Sequence, residues 1–328
     1  MKATALSRHC APTLFLVLLL SPVGAGAQAR LEDSAKDAVY ACPMPPPDAL
    51  AATATRLSAA QWDKNSLGCA ADLWFALAQN APTKPLLQVR ALLAATAYID
   101  QVNLLASLDL YSVHEAEWVT RIHHAVDQGK IIEERLGARP VDDADVLAAR
   151  ALYRLSWPRK IADTKTQIAE SGAALQLLSK AVALDPKALD GNALWILGRL
   201  YYDLPEFAGG DPVKGMSLIE DAYRNTPQNV SLLRYSAYVF LQERNVPLAK
   251  QRLAEMLKLQ PDPTSLQLLA DELKAASELA IRADDAALAR RLTTKRDQLL
   301  EAHPQLLRRL GSAANMHGGV DPITGKDN

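Results

Sequence analysis

The sequence predicts an all-α protein built from helical hairpins that stack as a solenoid. The 328-residue chain is 49% hydrophobic but only 5% aromatic, and its apolar residues are mostly Ala and Leu, which favour helices over strands. Apolar residues also recur at helical spacing between breaks that contain Pro or Gly. Some of the resulting segments are related by a fixed period, which is typical of stacked repeats.

The overall composition excludes some classes of protein. Lys and Arg number 36 against 37 Asp and Glu, so the formal net charge is −1. A chain this close to neutral lacks the positive surface expected of a general nucleic-acid-binding protein. A chain with 49% hydrophobic and 22% charged residues is also too apolar to be largely disordered.

Residues 1–27 have the pattern of a secretory signal peptide. Lys2 and Arg8 precede an apolar run at 14–20, and the small residues Ala25 and Ala27 suit a signal peptidase. The run is shorter than the roughly 18 apolar residues that a membrane span requires. We therefore expect cleavage after Ala27, export to the periplasm and no membrane span. Loss of the two basic residues would leave a formal charge of −3.

Cleavage would remove Cys10 and leave two cysteines, Cys42 and Cys69. In an oxidising compartment such a pair predicts a disulfide, and a bridge across a separation of 27 residues would contribute about 3–4 kcal/mol on the chain-entropy model. A redox or metal-binding pair is disfavoured because there is no Cys-x-x-Cys spacing and no His nearby. An extended lead-in is predicted over residues 28–47, and a helical region with the disulfide over residues 48–145.

Residues 146–263 contain the repeats. Pro227 and Pro261 each close an amphipathic helix and are 34 residues apart, which is the length of a tetratricopeptide helix–turn–helix unit. Two tandem units match its large and small positions, at Leu197, Gly198, Tyr201 and Ala222 in one and Leu233, Ala237, Phe240 and Ala249 in the other. A looser unit precedes them, with a long loop between Tyr153 and Ala174.

These matches predict a tetratricopeptide-like helical-hairpin solenoid, with an irregular helical bundle as the alternative. Stacked repeats need about three units to bury a continuous core. Residues 264–310 are therefore predicted to form capping helices. Residues 311–328 lose the helical period and are predicted to be a flexible tail.

The first complete unit carries five extra residues between its two helices, within the segment 201–212. Pro205 is expected to end the first helix, because the residue before a proline is disfavoured in the α region. Gly209 and Gly210 would allow positive φ in the reversal, while Asp211 would cap the next helix. A glycine-rich phosphate cradle is the alternative, but the flanking strand and the P-loop Lys-Ser/Thr are missing.

The order Leu197-Gly198, Tyr201-Tyr202, Pro205, Gly209-Gly210-Asp211, Ala222 and Pro227 resembles the TatT family. Members of this family are the tetratricopeptide-type periplasmic components associated with some tripartite (TRAP) transporters. The resemblance spans about residues 175–261. It implies an accessory protein of organic-acid transport whose partner is a periplasmic solute-binding protein. This chain departs from the family in lacking the lipoprotein Cys that members often carry.

The repeat pattern also predicts a ligand- or partner-binding groove, because helix-A positions of such units line a concave surface. The residues at these positions are Arg154, Asn192, Trp195, Arg199, Tyr202, Arg234, Tyr238 and Gln242, with Asp203 and Ser231 beside them. Arginine forks suit carboxylates, and Trp and Tyr add apolar contact with a polar group. The lining would suit a small organic anion or an acidic peptide. The alternative is that these residues pair with neighbouring acids or pack between repeats.

Catalytic motifs are missing from the sequence, which has no Gly-x-Ser-x-Gly elbow, Cys/His pair or paired-carboxylate motif. We therefore expect a protein that is not an enzyme and uses no cofactor. His114, Glu117 and His124 share a helical face and could hold a metal ion. Arg121 in the middle of this face disfavours a cation there, so no metal is expected and a solvated or interface face is the favoured interpretation.

A second charged stretch lies on the predicted capping helices. Arg290, Arg291, Lys295 and Arg296 share a helix with Asp284, Asp285, Asp297 and Glu301. Because both signs are present, the pattern is typical of a solvated face rather than of an anion-binding surface.

The sequence thus favours an exported periplasmic binding protein of the tetratricopeptide type, accessory to a TRAP-type system for organic acids. The alternative is a general adaptor or scaffold for an envelope protein complex, without a small ligand. Neither interpretation includes nucleic acid as a partner, and the sequence does not predict an oligomeric state.

The disulfide between Cys42 and Cys69 can be tested by thiol labelling of the exported protein. Denatured but unreduced protein should incorporate no label, because both sulfur atoms would be bonded, and reduction should expose two thiols. Two labelled cysteines before reduction would contradict the prediction.

Overall fold

The computed structural model describes residues 42, 45–60, 63–108, 115–138 and 142–306, and every regular element within them is a helix. The prediction of an all-α protein is confirmed for this part of the chain. The predicted signal peptide at 1–27, most of the lead-in at 28–47 and the tail at 311–328 lie outside it. No helix in the described ranges is both long enough and apolar enough to cross a membrane.

Four helices precede the segment in which repeats are predicted. After a 3₁₀ turn at Pro47–Ala49, they are α1 (Leu50–Ser58), α2 (Lys64–Asn80), α3 (Pro85–Leu108) and α4 (Glu115–Gly137). The next helices are α5 (Ala144–Ser156), the short α6 (Pro158–Ile161) and α7 (Thr164–Leu184).

Six further helices complete the described chain. They are α8 (Asn192–Asp203), α9 (Pro212–Asn225), α10 (Val230–Gln242), α11 (Val246–Met256), α12 (Leu266–Arg282) and α13 (Ala286–Ala302). Two 3₁₀ turns accompany them, Glu206–Ala208 before α9 and Pro304–Leu306 after α13.

Side-chain caps fix where many of these helices begin. An Asp or Asn before the first helical residue accepts a hydrogen bond from a backbone N–H two or three residues later. The capping residues are Asp63, Asp143, Asp163, Asp211, Asn229, Asn245 and Asp285.

The long loop predicted between Tyr153 and Ala174 is wrong, because α6 and the first half of α7 occupy this stretch. Pro158 takes the first position of α6, where a proline costs no hydrogen bond. Asp163 then caps α7 by accepting from the backbone N–H of Thr166 at 2.7 Å. Nothing between Thr164 and Ala174 interrupts a helix, so α7 starts well before the part that the repeat pattern assigns.

Consecutive helices form packed pairs along the second half of the chain. The most extensive contacts there join α8 with α9, α10 with α11, and α12 with α13, while α5 packs mainly on α7. The first helices of neighbouring pairs also touch, as α10 does with α12. The hydrophobic core is accordingly divided into several clusters that follow one another along the chain.

Tyr153 of α5 joins the first four helices to the pairs that follow. Its side chain is buried in the N-terminal core, and its hydroxyl donates to the carbonyl oxygen of Val126 at 2.7 Å. The ring lies against Gly129 of α4, where a Cβ atom would stand 2.2 Å from the ring carbon Cε2. Packing is therefore continuous across residue 146.

Two glycines set the distance between α8 and α9. A Cβ on Gly215 would lie 2.6 Å from the backbone nitrogen of Tyr202 and 2.8 Å from the carbonyl oxygen of Gly198. A Cβ on Gly198 would lie 3.0 Å from the backbone nitrogen of Ile219. Any larger side chain at these positions would have to push the two backbones apart.

The link between α8 and α9 follows the expected sequence of turns. The helix α8 ends at Asp203, and Asp211 caps α9 by accepting from the backbone N–H of Lys214 at 3.0 Å. Gly209 has a φ of +92°, as predicted. Gly210 does not have a positive φ. A glycine is needed there for lack of space, since a Cβ atom would lie 1.8 Å from the carbonyl oxygen of Leu204.

The close crossing of α8 and α9 predicts opposite effects for two glycine substitutions within helices. Gly215→Ala should destabilise the protein by about 1–3 kcal/mol, because the new methyl group meets backbone atoms. Gly172→Ala in α7 meets nothing within 4 Å, so the gain in helix propensity should stabilise the protein by about 0.5–1 kcal/mol. Chemical denaturation of both variants measures the two changes, and equal changes would contradict the close contact.

Candidate partner-binding groove

The eight residues of the predicted groove lie on three helices. Arg154 is on α5, and the others are on α8 (Asn192, Trp195, Arg199 and Tyr202) and α10 (Arg234, Tyr238 and Gln242). The structure joins the residues of α8 to α10 through shared ring contacts and hydrogen bonds. Arg154 and Arg234 instead bind acids on other helices.

An aromatic layer forms between α8 and α10. The ring of Tyr235 lies 6.3 Å from that of Trp195 and 5.8 Å from that of Tyr238, measured between centroids. The Arg199 guanidinium lies 5.3 Å from the centroid of the Tyr235 ring, within the range of a cation–π contact. The indole N–H of Trp195 donates to the Asn192 side chain at 2.9 Å.

Tyr235 is the residue of this layer that sequence reasoning misses. It is buried, and the repeat pattern assigns only its neighbours Arg234 and Tyr238 to the concave surface. The i, i+3 spacing to Tyr238 was the available signal, because residues so spaced share one face of a helix.

Acids hold the polar ends of this layer. Asp203 accepts from Arg199 Nε at 3.2 Å and from the Tyr235 hydroxyl at 2.7 Å. The Tyr202 hydroxyl donates to Glu243 at 3.0 Å. Burial and the neighbouring carboxylate raise the pKa of Tyr235 and of Tyr202, so both hydroxyls stay protonated and act as donors.

Arg154 belongs to a separate ion-pair cluster between α4, α5 and α7. Its Nη2 atom lies 2.7 Å from Glu133, and its Nη1 atom lies 3.0 Å from Glu170. Arg150 also binds Glu133, at 2.8 Å. Burial opposes ionisation of Glu133, but the hydrogen bonds from Arg154 and Arg150 outweigh it and hold its pKa below the ordinary value.

Arg234 is held by the next helical pair. Its Nε atom donates to Glu272 of α12 at 2.5 Å, and Ser231 donates to the other oxygen of the same carboxylate at 2.7 Å. Glu272 is buried, so this interaction also ties α10 to α12.

Each arginine of the predicted groove is therefore bound to one or more acids of the protein. The surface is lined by balanced charges and aromatic rings. This agrees with the alternative interpretation of the sequence, in which these residues pair with neighbouring acids or pack between helices. Asp203, Glu133 and Glu272 already balance the guanidinium charges, so a small anion would gain little electrostatic attraction there. A polypeptide surface with its own donors and acceptors fits such a lining better, because it can bind polar groups without breaking these pairs.

The two cysteines with a predicted disulfide lie close together. Cys42 and Cys69 are present as thiols whose side chains share a hydrogen bond. Burial, followed by the bond and the charge of Cys42, raises the pKa of Cys69 to about 12. Burial thus disfavours the thiolate, which is the nucleophilic form of the side chain. The disulfide remains a prediction.

The helical face considered for a metal ion is used in packing where the structure describes it. His124 Nε2 lies 2.8 Å from Asp72, and Arg121 is buried and donates to Asn65 at 3.0 Å. His114 and the side chain of Glu117 lie outside the described residues. Within the described residues no three His, Cys, Asp or Glu side chains are grouped so that they could hold a metal ion.

Comparison with known proteins gives no independent guide to the groove. No protein-family model matches the chain, and no curated protein matches it.

The Arg154 cluster predicts a pH-dependent effect of Glu133→Gln. At neutral pH the variant should lose about 1–3 kcal/mol of stability, because two half-buried guanidinium groups lose a shared carboxylate. The lowered pKa of Glu133 means that its contribution is present above its ordinary value of 4.5 and is lost as the pH falls through the folded-state value. The stability difference from the wild type should therefore shrink below pH 4.5.

Denaturation at several pH values measures this effect, and Glu134→Gln is the matched control. Glu134 is exposed on the same helix, so its substitution should change stability by less than about 0.5 kcal/mol at any pH. A difference for Glu133→Gln that stays constant down to pH 3 would contradict the assignment.

Proposed function

We propose that the chain is an exported binding protein of the tetratricopeptide type that docks on another protein of the cell envelope. The resemblance to the TatT family suggests which protein: the periplasmic solute-binding protein of a TRAP-type transport system. The support comes from the helical pairs, from the loop between α8 and α9, and from the charge balance of the groove.

One interval between helical pairs matches the length of such a repeat. The second helices α9 and α11 begin at Pro212 and Val246, which are 34 residues apart. Gly198 and Gly215 occupy the places where the repeat requires small residues, and both are needed for space.

The observation that carries the proposal is the exposure of Phe207, whose side chain lies on the loop between α8 and α9. This residue is 83% exposed. It is one of only four phenylalanines in the chain. Val213, at the start of α9, is 74% exposed. Aromatic residues are enriched at protein interfaces, because their burial in a partner contributes strongly to affinity.

The loop holds Phe207 in a defined position. The Asp211 N–H donates to the carbonyl oxygen of Tyr201 at 2.8 Å, and the N–H of Gly210 donates to that of Pro205 at 3.1 Å. A Cβ on Gly209 would stand 3.1 Å from a methyl carbon of Leu175 on α7. A loop whose backbone is ordered in this way loses little backbone entropy when the ring binds, which favours the use of Phe207 as an anchor.

The loop lies inside the segment that resembles the TatT family. The partner implied by that resemblance, a solute-binding protein, is therefore the protein on which we expect Phe207 to dock. The charge balance of the groove argues in the same direction, because its arginines are engaged by the protein itself. The groove therefore favours a protein partner over a small anion.

The proposal is tested by measuring binding to the solute-binding protein encoded beside the gene of this chain. Phe207→Ser should weaken binding about 10- to 100-fold, the effect of losing a well-buried anchor, with an unchanged melting temperature since the ring supports no core. Ile281→Ser is the matched control, because Ile281 is 66% exposed on α12, outside the resembling segment.

Two outcomes would overturn the proposal. Equal affinities of the Phe207→Ser variant and the wild type would remove the loop as the docking site. The lack of any transporter gene beside this one, together with capture of no solute-binding protein, would remove the TRAP-type assignment.

A further inference from the structure

A cleft between the end of α11 and the outer side of α13 has a lining that differs from that of the groove. It is a shallow depression, wide open to solvent, with a volume of about 580 Å³, and it is lined by Leu257, Ala287, Arg290, Arg291, Thr294, Lys295 and Gln298. Six of these residues follow one another along α13 at intervals that keep them on one side of the helix. The volume falls within the range of small-molecule sites.

The lining carries three cationic side chains and no acid. Two acids of the same stretch, Asp285 and Asp297, make other contacts. Asp285 caps α13 by accepting from the N–H of Leu288 at 2.9 Å and also pairs with Lys250 at 3.4 Å. Asp297 pairs with Arg296 at 3.5 Å. The lining of the cleft therefore collects three of the basic residues of this stretch, although the sequence alone indicates a solvated face of mixed charge.

Lys295 gives the cleft a fixed positive charge. Its Nζ atom donates to the carbonyl oxygens of Leu257 and Leu259, at 2.9 and 2.6 Å, just beyond the last turn of α11. An ammonium has three N–H donors, so one is left for a ligand. Burial lowers the pKa of Lys295, and a bound anion would favour its charged form.

Arg290 and Arg291 complete the site. Both are exposed, and neither makes a hydrogen bond or an ion pair with any residue that the structure describes, although Arg291 feels the charge of Asp285. This separates them from the groove arginines Arg154, Arg199 and Arg234, all of which have acidic partners. Guanidinium forks bind carboxylates and phosphates in a bidentate manner.

We infer that this cleft binds a small organic dianion, with Arg290 and Arg291 bound to its oxygen atoms and Lys295 supplying a third positive charge. Leu257 and Ala287 provide an apolar wall for the carbon skeleton, while Thr294 and Gln298 add neutral hydrogen-bonding groups. Carboxylate and phosphate groups present similar arrays of oxygen atoms, so either could provide the charge. The inference does not depend on docking through Phe207.

The test is calorimetric titration of the purified exported protein with succinate, with inorganic phosphate and with acetate at about 0.15 M salt, where unspecific surface attraction is screened. Succinate or phosphate should bind with a Kd on the order of 1 mM or tighter, and acetate at least about ten times more weakly, since it can engage only one fork. Equal affinity for acetate, or no binding of either dianion at ~10 mM, would overturn the inference.

Substitutions locate the site. Arg290→Ala and Arg291→Ala should each weaken dianion binding about tenfold or more, and Arg291→Lys should weaken it as well, because it keeps the charge but loses the fork. Arg282→Ala is the matched control, since it removes the same charge from an exposed position outside the cleft. An equal effect of Arg282→Ala would show that only the overall charge matters and would overturn the site.

The two binding activities can be told apart with one further variant. Phe207→Ser should leave dianion binding unchanged, because the loop does not line the cleft. A loss of dianion binding in this variant would place the ligand elsewhere and contradict the inference, whatever its effect on docking.

Discussion

The contact between Gly198 and Gly215 determines much of what surrounds it. Without side chains between them, α8 and α9 approach until backbone atoms touch, and the link between the two helices must reverse within a short distance. Phe207 lies in this link, and its side chain is exposed to solvent. The larger residues of α8, such as Trp195, are directed to α10 instead, where they pack on Tyr235.

The arginines of the groove and those of the cleft on α13 differ in burial. A half-buried guanidinium is costly unless a carboxylate accompanies it, and Arg154 and Arg234 have such partners on neighbouring helices. These pairs hold helices together and keep the groove close to neutral. An exposed guanidinium bears no such cost, so Arg290 and Arg291 are available to a ligand. The two surfaces therefore differ in whether their arginines are paired with acids among the described residues: those of the groove are, and those of the cleft are not.

Local features of the fold could be predicted from the sequence, and long-range pairings could not. The Asp211 cap and the positive φ of Gly209 depend only on a few adjacent residues, and the structure confirms both. The long loop predicted between Tyr153 and Ala174 is wrong because Pro158 begins a short helix and Asp163 caps α7, which starts ten residues before Ala174. Helical spacing also selects which residues of α8 share a face.

The chemistry of the candidate sites depends on residues that are distant in sequence. Glu133 and Glu272 reach the arginines of the groove from helices 21 and 38 residues away, and no helical period relates such positions. Acids alternate with the basic residues of α13 in the sequence, and this pattern predicts a solvated face of mixed charge. Their separation depends on side-chain direction and on the position of α11, neither of which follows from composition.

The contact of Tyr153 with Gly129 bears on how the molecule unfolds. In a linear series of helical pairs each pair is stabilised only by its neighbours, so the ends open first and independently. Here the hydroxyl and the ring of one tyrosine connect α5 to the core of the preceding helices. Opening of either side removes the support of the other, because the ring would lose its partner in Gly129 and the hydroxyl its acceptor. The pair of α5 and α7 therefore shares a buried side chain with the core of the preceding helices, and we expect the two parts to unfold together rather than one after the other.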